Sequence, residues 1–513
     1  MPGSSAREVV SRLARSFDEQ DADLVAGDPL GFPGYREQIE RAKAETGLSE
    51  ACVWGWADID GAPCALVVGD FSFLGGSMGI AVGEKVARGF DAARRARAPV
   101  VTVTASGGAR MQEGMAALVQ MAKVAEARRQ HAAAGLGHVT LLTPPTTGGV
   151  YASFASLADV VLAEPEATVG FAGPRVVAEI LGSDPPARMH TAEFALEHGL
   201  VDALVLPADQ TSTIGRILSS FGSKTGAQLR APARSQLIGG VPRASRAAPP
   251  EPPAAWERVQ IAREQSRPKA PQIAAVLLES SFELHGDRTG TPDDESVIVR
   301  VGGVRGTDLN AMLIGQDASG DGRIRPQGFR KAIRGIELAG RLGLPVVTLI
   351  DTRGADPLPS SEGHGIAAAV ARTFLAMLDC PSPMLAVVVG EGGSGGALAM
   401  TVADRVLAWE NSVFTVIAPE GAATILYRDA ARAAEIAEQL GITADDLVAL
   451  GIADATVAEP PGGAHREPAL ATEDLADTIS SELVELVKVR RATRLRRRHR
   501  RWRGVTERYI EQA

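Results

Sequence analysis

An internal duplication is the feature that most constrains the fold of this chain. An apolar, β-branched run begins at Pro99, and a similar run begins 246 residues later at Pro345. Two glycine pairs, at 148–149 and 395–396, are separated by 247 residues, and both follow an apolar run. Asp159 and Asp404 each lie in an Ala-Asp-x-Val-Leu-Ala context, 245 residues apart. Three nearly equal spacings predict two copies of one βα-rich domain.

Composition limits the class of protein. A chain of 513 residues exceeds the usual size of a single domain, and 45% hydrophobic with 22% charged residues is typical of a soluble globular protein. The formal net charge of −9 argues against bulk affinity for nucleic acids. The three cysteines have no CxxC spacing, which argues against a disulfide framework or a four-cysteine zinc site. With no long apolar stretch and no signal pattern, we expect a cytoplasmic enzyme without a membrane partner.

Domain boundaries follow from composition and from the repeat. We predict an N-terminal tail over 1–34, a first domain over 35–220, a Pro/Ala-rich linker over 221–255, and a second domain over 256–513 that ends in a basic helix. An ordered excursion over the surface is the alternative interpretation of the linker. The fold class is α/β, with two domains related by duplication.

The two glycine turns are the candidate sites. Each turn follows a predicted strand and precedes a stretch of small and apolar residues, which indicates the order strand, turn, helix. Glycine lets the backbone approach a ligand closely, and the unpaired amides at a helix start suit a developing negative charge. A tight turn or close helix packing is the alternative for either pair alone. Finding the pair twice favours a reaction that passes through two oxyanions.

Other catalytic patterns are weak. Ser394 satisfies the bare G-x-S-x-G spacing, but a small turn residue is the alternative interpretation, and no HExxH metal spacing occurs. His285 is either a structural group or a proton carrier.

The C-terminus carries the strongest charge feature. A solvated helical face is the default interpretation, and recognition of phosphate, in a nucleotide-like coenzyme or in RNA, is the alternative. The arginines concerned are Arg490, Arg491, Arg494, Arg496, Arg497, Arg498, Arg500, Arg501 and Arg503.

Long motifs in both halves resemble the bacterial acetyl-CoA carboxylase carboxyltransferase. The segments similar to its β subunit are Asp70-Phe71-Ser72-Phe73-Leu74-Gly75-Gly76-Ser77-Met78-Gly79, Ser106-Gly107-Gly108-Ala109-Arg110-Met111-Gln112-Glu113-Gly114 and Gly170-Phe171-Ala172-Gly173-Pro174-Arg175. The segments similar to its α subunit are Phe282-Glu283-Leu284-His285-Gly286-Asp287-Arg288, Gly390-Glu391-Gly392-Gly393-Ser394-Gly395-Gly396-Ala397 and Pro419-Glu420-Gly421. The resemblance implies two crotonase-like (ClpP/crotonase) domains, β type then α type, in one polypeptide.

The resemblance also implies the chemistry. The family moves a carboxyl group from N1 of carboxybiotin to the α-carbon of an acyl-CoA, and biotin itself can take the α-proton. One amide pair would hold the thioester enolate oxygen, for which we select Gly148 and Gly149. The other would hold the ureido oxygen of biotin, for which we select Gly395, Gly396 and Ala397. Substrate-binding residues are then expected at Ser106, Gly107, Gly108, Ala109, Arg110, Gly392 and Gly393.

The same resemblance implies the partners. We expect acetyl-CoA or another short acyl-CoA as substrate, malonyl-CoA for fatty acid biosynthesis as product, and a homo-oligomer. The sequence shows no Ala-Met-Lys-Met biotinylation site and no ATP-binding half. A separate biotin carboxyl carrier protein, bearing the biotin, and a separate biotin carboxylase are therefore expected, and no metal is expected.

Three departures from the family pattern concern the substrate contacts. The four-cysteine zinc ribbon that commonly precedes the β-type core is missing from this sequence. Arg353 and Asp356 stand where the family has proline and tyrosine, and Gly363-His364-Gly365 replaces Glu-Arg-Gly. The last two departures put the α-side contacts in doubt.

Two alternatives to carboxyl transfer remain open at the level of sequence. One is a biotin-independent decarboxylase of malonyl-type thioesters on the same fold. The other is a noncatalytic assembly or RNA-binding protein that acts through the basic C-terminus. The sequence leaves open the acyl-chain preference and whether an active site forms within one chain or between chains.

Overall fold

A computed structural model describes residues 4–221 and 253–512 of the chain. Strands and helices alternate through both ranges, as the α/β prediction requires. No helix within these ranges combines the length and the apolar character needed to cross a bilayer. The predicted linker lies almost entirely outside the described residues, so its conformation stays a prediction.

The strands of the described residues fall into two large sheets and two small ones. Those of the first half are β1 (Ser16–Gln20), β2 (Leu24–Ala26), β3 (Cys52–Ile59), β4 (Ala62–Gly69), β5 (Val100–Ser106), β6 (His138–Thr147), β7 (Val160–Ala163), β8 (Val169–Gly170) and β9 (Ala203–Leu204). Those of the second half are β10 (Leu278–Glu283), β11 (Val297–Val304), β12 (Asn310–Gln316), β13 (Arg323–Ile324), β14 (Val346–Thr352), β15 (Gly354–Ala355), β16 (Met384–Gly393), β17 (Arg405–Trp409), β18 (Val413–Thr415), β19 (Ala455–Val457) and β20 (Ile510–Gln512).

The helices cover the faces of the sheets. Those of the first half are α1 (Ala6–Leu13), α2 (Tyr35–Thr46), α3 (Ile80–Ala96), α4 (Met115–Leu118), α5 (Gln120–Ala133), α6 (Gly148–Val150), α7 (Pro174–Leu181), α8 (Ala192–Glu197) and α9 (Gln210–Ser220). Those of the second half are α10 (Ala255–Ala262), α11 (Ala270–Leu277), α12 (Pro326–Leu342), α13 (Pro359–Gly363), α14 (Ile366–Asp379), α15 (Ser394–Ala399), α16 (Pro419–Tyr427), α17 (Ala433–Gln439), α18 (Ala444–Ala449), α19 (Pro468–Lys488) and α20 (Arg491–Gly504). A π-helical turn, Tyr151–Ala155, extends α6.

The two large sheets have the same topology. The first has the order β1-β3-β4-β5-β6-β7-β9, with β8 paired to the end of β6. The second has the order β10-β11-β12-β14-β16-β17-β19, with β18 paired to the end of β16. In each sheet the first two pairings are antiparallel and the others are parallel. Identical order and direction in eight strands confirm the internal duplication.

The strand register fixes the spacing of the repeat. Ser106 of β5 pairs with Thr146 of β6, and Thr352 of β14 pairs with Gly392 of β16. Thr352 follows Ser106 by 246 residues, and Gly392 follows Thr146 by the same number. Gly148 therefore corresponds to Ser394 and Gly149 to Gly395, whereas matching the glycine pairs by identity gives a spacing one residue longer.

Helix α12 shows how local sequence sets the elements. Pro326 occupies its first turn, where a missing N–H breaks no helical hydrogen bond. Buried side chains recur at helical spacing, at Phe329, Ala332 and Ile336. Gly343 ends the helix with φ of 72°, the left-handed conformation that glycine adopts without strain. The helix thus covers the second sheet and directs the chain into β14.

The N-terminal segment is not a separate tail. Residues 6–13 form α1, and β1 pairs with β3 as the edge strand of the first sheet. The Ser5 hydroxyl accepts a hydrogen bond from the Glu8 N–H and so caps α1. The predicted boundary at residue 34 is therefore wrong for this segment, which belongs to the first domain.

The two halves pack closely within the chain. Helices α5 and α14 and the π-helical turn meet at the boundary between the halves, and one apolar cluster includes Val124, Phe154, Val370 and Phe374. Strand β2 also pairs with β20, which joins the two ends of the chain. The relative placement of the halves thus rests on buried apolar surface.

The arginine-rich helix α20 fastens the halves together. The fully buried Arg498 guanidinium donates to both carboxylate oxygens of Asp404, at 2.9 and 2.6 Å, and to three backbone carbonyls. Arg503 donates to Glu84 and Asp91 of α3 in the first half. The expectation of a solvated basic face is therefore wrong for the inner side of this helix.

The outer side of α20 does face solvent. Arg496, Arg497 and Arg500 are exposed there. Helical spacing explains the division, because residues three and four apart share a face.

Candidate functional site

The first glycine turn has the predicted order of strand, turn and helix. Strand β6 ends at Thr147, and α6 begins at Gly148, whose φ is 65°. A Cβ atom at Gly148 would lie 2.7 Å from the Gly108 Cα. Position 148 thus requires glycine both for its backbone conformation and for its close approach to Gly108.

The amides of this turn have different partners. The Gly148 N–H donates to the Phe171 carbonyl at 3.1 Å. The Gly149 N–H has no acceptor among the described residues, and Gly149 is half-buried at the start of α6. Of the two, Gly149 is therefore the residue whose amide is available to a ligand.

A second loop borders this turn. The Ser106 hydroxyl accepts a hydrogen bond from the Gly108 N–H at 3.1 Å, and the Gly107 N–H donates to the Gly75 carbonyl at 2.9 Å. Gly108 has φ of 126°, and a Cβ there would meet no atom within 4 Å. This loop therefore leaves open space beside Gly108, next to the Gly148 turn.

Arg110 points into the protein. Its side chain is fully buried and ion-paired to Glu50 at 2.7 Å. The guanidinium also donates to the Tyr35 hydroxyl at 3.3 Å and to the Ser77 carbonyl at 2.9 Å. These contacts occupy the Arg110 guanidinium within the protein, and the predicted role of Arg110 in substrate binding stays a prediction. Arg110 anchors the loop, while Ala109 forms a backbone bridge to Met78.

The second glycine turn repeats the first. Ser394 corresponds to Gly148 and has a similarly positive φ of 54°. Within the described residues its hydroxyl makes no hydrogen bond to a histidine or a carboxylate, which favours the interpretation as a turn residue over an activated nucleophile. Gly395 is the second residue of α15, as Gly149 is of α6. Neither Gly395 N–H nor Gly396 N–H has an acceptor in the described part of the chain. The second candidate amide site therefore lies at Gly395 and Gly396.

The other glycines of this motif allow close packing. A Cβ at Gly392 would lie 2.7 Å from the Phe414 ring, and one at Gly393 would lie 2.4 Å from the Arg353 carbonyl carbon. A Cβ at Gly396 would lie 2.6 Å from the Ala355 N. Gly392 and Gly393 thus bring β16 close to its neighbours, and the predicted contact of these two residues with substrate stays a prediction.

The loop beside the second turn also matches its counterpart. The Thr352 hydroxyl accepts from the Gly354 N–H at 3.0 Å, as Ser106 does from Gly108. The buried Asp356 accepts a hydrogen bond from the Ser361 hydroxyl at 2.5 Å. Asp356 is thus a structural group, whereas the other departure in this loop, Arg353, is exposed.

Both turns face the same side chain. A Cβ at Gly149 would lie 3.3 Å from the Met121 Sδ, and a Cβ at Gly395 would lie 3.0 Å from it. Met121 is buried in the first turn of α5. The two candidate amide sites of one chain therefore lie on either side of one thioether.

Sequence reasoning missed Glu362. This α13 residue of the second half is only 3% exposed, and both of its carboxylate oxygens lie 3.0 Å from the Phe171 N. Burial raises the pKa of Glu362 to about 7, although the Phe171 N–H opposes this rise. The available signal was a glutamate directly before Gly363-His364-Gly365, the segment that departs from the family pattern.

His285 lies outside this site. Its side chain is 70% exposed, and its Nδ1 is 3.0 Å from an oxygen of Asp293. It is a surface group bonded to a neighbouring carboxylate.

Family models match both halves of the chain. Residues 27–206 match the carboxyl transferase domain, and residues 252–506 match the acetyl co-enzyme A carboxylase carboxyltransferase-like family. A protein of Salinispora arenicola described as acetyl-coenzyme A carboxylase carboxyl transferase subunits beta/alpha is 43% identical over 93% of this chain and 86% of its own length. This chain belongs to the fused carboxyl transferase beta/alpha family.

Two further relatives also match over nearly the full length of this chain. The protein of the same description from Salinispora tropica is 43% identical over 97% of this chain and 90% of its own. A probable biotin-dependent acyl-coenzyme A carboxylase beta3 subunit of Mycobacterium bovis is 34% identical over 93% of this chain and 94% of its own. The two halves of this carboxyl transferase chain share one α/β topology and follow in the order β type, then α type, as the sequence predicted.

Proposed function

We propose that this chain is the carboxyltransferase component of a biotin-dependent acyl-CoA carboxylase, which transfers a carboxyl group from carboxybiotin to acetyl-CoA and forms malonyl-CoA. The observation that carries the proposal is the convergence of two equivalent helix starts, at Gly149 and Gly395, on Met121. Carboxyl transfer needs two oxyanion sites close together, because charge develops on the thioester oxygen and on the ureido oxygen.

The available amides give each turn its role. We assign the Gly149 N–H to the thioester enolate oxygen, because the Gly148 N–H is held by the Phe171 carbonyl. The amides at Gly395 and Gly396, with Ala397 behind them in α15, are assigned to the ureido oxygen. Removal of one such donor typically lowers kcat by about a hundredfold to a thousandfold.

The loops beside the turns serve the substrate. Gly108 borders open space beside the first turn, and the hydroxyl of Ser106 accepts its N–H, while the Gly107 N–H is held by the Gly75 carbonyl. We assign this loop to the thioester end of the acyl-CoA. Carboxybiotin, carried on a separate carrier protein and charged by a separate biotin carboxylase, supplies the activated carboxyl group.

The compartment and the assembly belong to the same proposal. The free cysteines of the described residues, Cys52, Cys64 and Cys380, are buried thiols, which fits a reducing cytoplasm. We further propose a homo-oligomer without a membrane partner.

The noncatalytic alternative is not favoured. It relied on the arginine-rich end as a binding face, but Arg494 and Arg498 are buried in contacts within the chain. Those contacts account for much of the basic sequence without a nucleic acid.

Biotin dependence separates carboxyl transfer from decarboxylation. The purified chain is incubated with malonyl-CoA and free biotin, and acetyl-CoA release is followed with and without avidin. The proposal predicts release that requires biotin and stops when avidin sequesters it. Release that continues unchanged with avidin would establish the decarboxylase instead.

A further inference from the structure

A buried carboxylate crosses the boundary between the two halves. Glu362, in α13 of the second half, accepts the Phe171 N–H of the first half on both oxygens at 3.0 Å. No lysine or arginine whose side chain is described lies within ion-pair distance of it. A backbone N–H of the other half is thus the group that stabilises its charge.

Such a carboxylate is costly to keep ionised. Burial away from a cation disfavours the charged form, which raises the pKa of Glu362 to about 7. Groups of this kind concentrate at functional sites, where their cost to stability is offset elsewhere. A neutral side chain at this position would cost less free energy to bury between the two halves.

Phe171 connects this carboxylate to the first oxyanion turn. Its N–H donates to Glu362, and its carbonyl accepts the Gly148 N–H at 3.1 Å. The positive φ of Gly148 and the close approach of Gly108 leave the turn little freedom. Holding Gly148 in this way leaves the Gly149 N–H as the donor that a ligand meets.

We propose that Glu362 is a positioning residue for the oxyanion turn at Gly148 and Gly149, an inference that rests on the proposed carboxyl transfer. Its ionised carboxylate holds Phe171 from the opposite half and thereby fixes the orientation of the Gly149 amide. Protonation replaces a charge-assisted hydrogen bond by a weaker neutral one and loosens Phe171. The second half therefore contributes to the site of the first half as well as to its own.

The titratable neighbours of Glu362 come from four elements. Tyr151, in the π-helical turn, is buried, and burial together with the Glu362 charge raises the pKa of its hydroxyl. His190 lies against Gly170, just before Phe171, and burial lowers its pKa. His198, beyond α8, lies against Gly363, and His364 ends α13 with its Nδ1 2.6 Å from the Ser360 carbonyl oxygen.

The test compares Glu362→Gln with the wild-type chain in transfer between biotin and acyl-CoA. We expect wild-type kcat to rise about tenfold between about pH 6 and pH 8, with a midpoint near 7. Glu362→Gln should lack that rise and have about tenfold lower kcat at pH 8, with KM for acetyl-CoA changed less than about twofold. Ser360→Ala, an exposed position on the same helix, is the matched control and should keep the wild-type profile.

A wild-type pH profile in Glu362→Gln would overturn the inference. If Glu362→Gln does not fold, hydrogen exchange in the wild-type chain tests the positioning role of Glu362. After correction for intrinsic rates, protection of the Phe171 amide should rise as pH passes through 7, and constant protection would also overturn it. Failure of the proposed function looks different, because the wild-type chain would then transfer no carboxyl group at any pH.

Discussion

Gly149 and Gly395 are separated by 246 residues in sequence, yet both face the sulfur of Met121. Each is the second residue of a helix that begins at the end of an equivalent strand. The side chain between them, Met121, is buried and lies within contact distance of both glycines. Both candidate turns thus lie near one another within one chain, and we expect them to serve one site.

Mixing two inactive variants tests this placement. Gly149→Val and Gly395→Val each add a side chain against Met121, and each is expected to abolish transfer. Because each chain holds both turns, a mixture refolded together should remain inactive. Recovery of about a quarter of the wild-type rate would instead mean that turns from different chains share a site. Differently tagged variants confirm that mixed oligomers have formed.

Met121 is expected to limit the acyl chain. Met121→Ala shortens the side chain between the turns, so it should raise the ratio of kcat/KM for butyryl-CoA to that for acetyl-CoA by about tenfold or more, since even one methylene in an apolar pocket is worth about 1–3 kcal/mol. Val124→Ala is the matched control. Val124 is buried on the same helix but contributes none of the atoms nearest to Gly149 or Gly395. An unchanged ratio in Met121→Ala would exclude this role.

The arginine-rich helix is expected to act on stability. Arg498→Met leaves the buried Asp404 carboxylate without its strongest partner, which should lower the free energy of unfolding by about 3–5 kcal/mol. Arg497→Met, at an exposed neighbour on the same helix, should change it by less than about 0.5 kcal/mol. Urea denaturation of both variants measures the difference. Equal effects would mean that the ion pair between Arg498 and Asp404 contributes little to stability.

Glu362 makes stability depend on pH. Its pKa is raised from 4.5 to about 7 on folding, so the folded chain binds the proton more tightly and loses stability as pH rises through that window. Relative to Glu362→Gln, the wild-type chain should lose up to about 3 kcal/mol between about pH 4.5 and 7 and nothing further above it. Thermal unfolding of both proteins across this range checks the prediction. A constant difference in Tm would contradict it.

Local sequence was enough for the duplicated architecture. The run after Pro99 and the run after Pro345 form the equivalent strands β5 and β14, and both glycine turns lie at helix starts. The order of strand, glycine turn and helix depends on nearest neighbours along the chain, which is why the pattern revealed it. Matching the two turns by their glycine pairs shifted the correspondence by one residue. Ser394 has a positive φ similar to that of Gly148, so Ser394 is its equivalent although it is not a glycine.

Tertiary contacts determine the features of the candidate site that the sequence did not predict. Phe171, on a different segment, determines which amide of the first turn is free. Arg110 was predicted to bind substrate, and the sequence did not show that Glu50 and Glu113 would pair with its buried guanidinium. Glu362 carries no motif of its own, and its importance depends on the packing of one half against the other.

Carboxyl transfer itself is the most direct measurement. The purified chain is given carboxybiotin with acetyl-CoA, propionyl-CoA and butyryl-CoA in parallel, and the carboxylated thioesters are quantified. We predict malonyl-CoA as the main product, with slower carboxylation of the longer substrates because the Met121 side chain lies between Gly149 and Gly395. Absence of a carboxylated product from all three acyl-CoA substrates would contradict the proposed function.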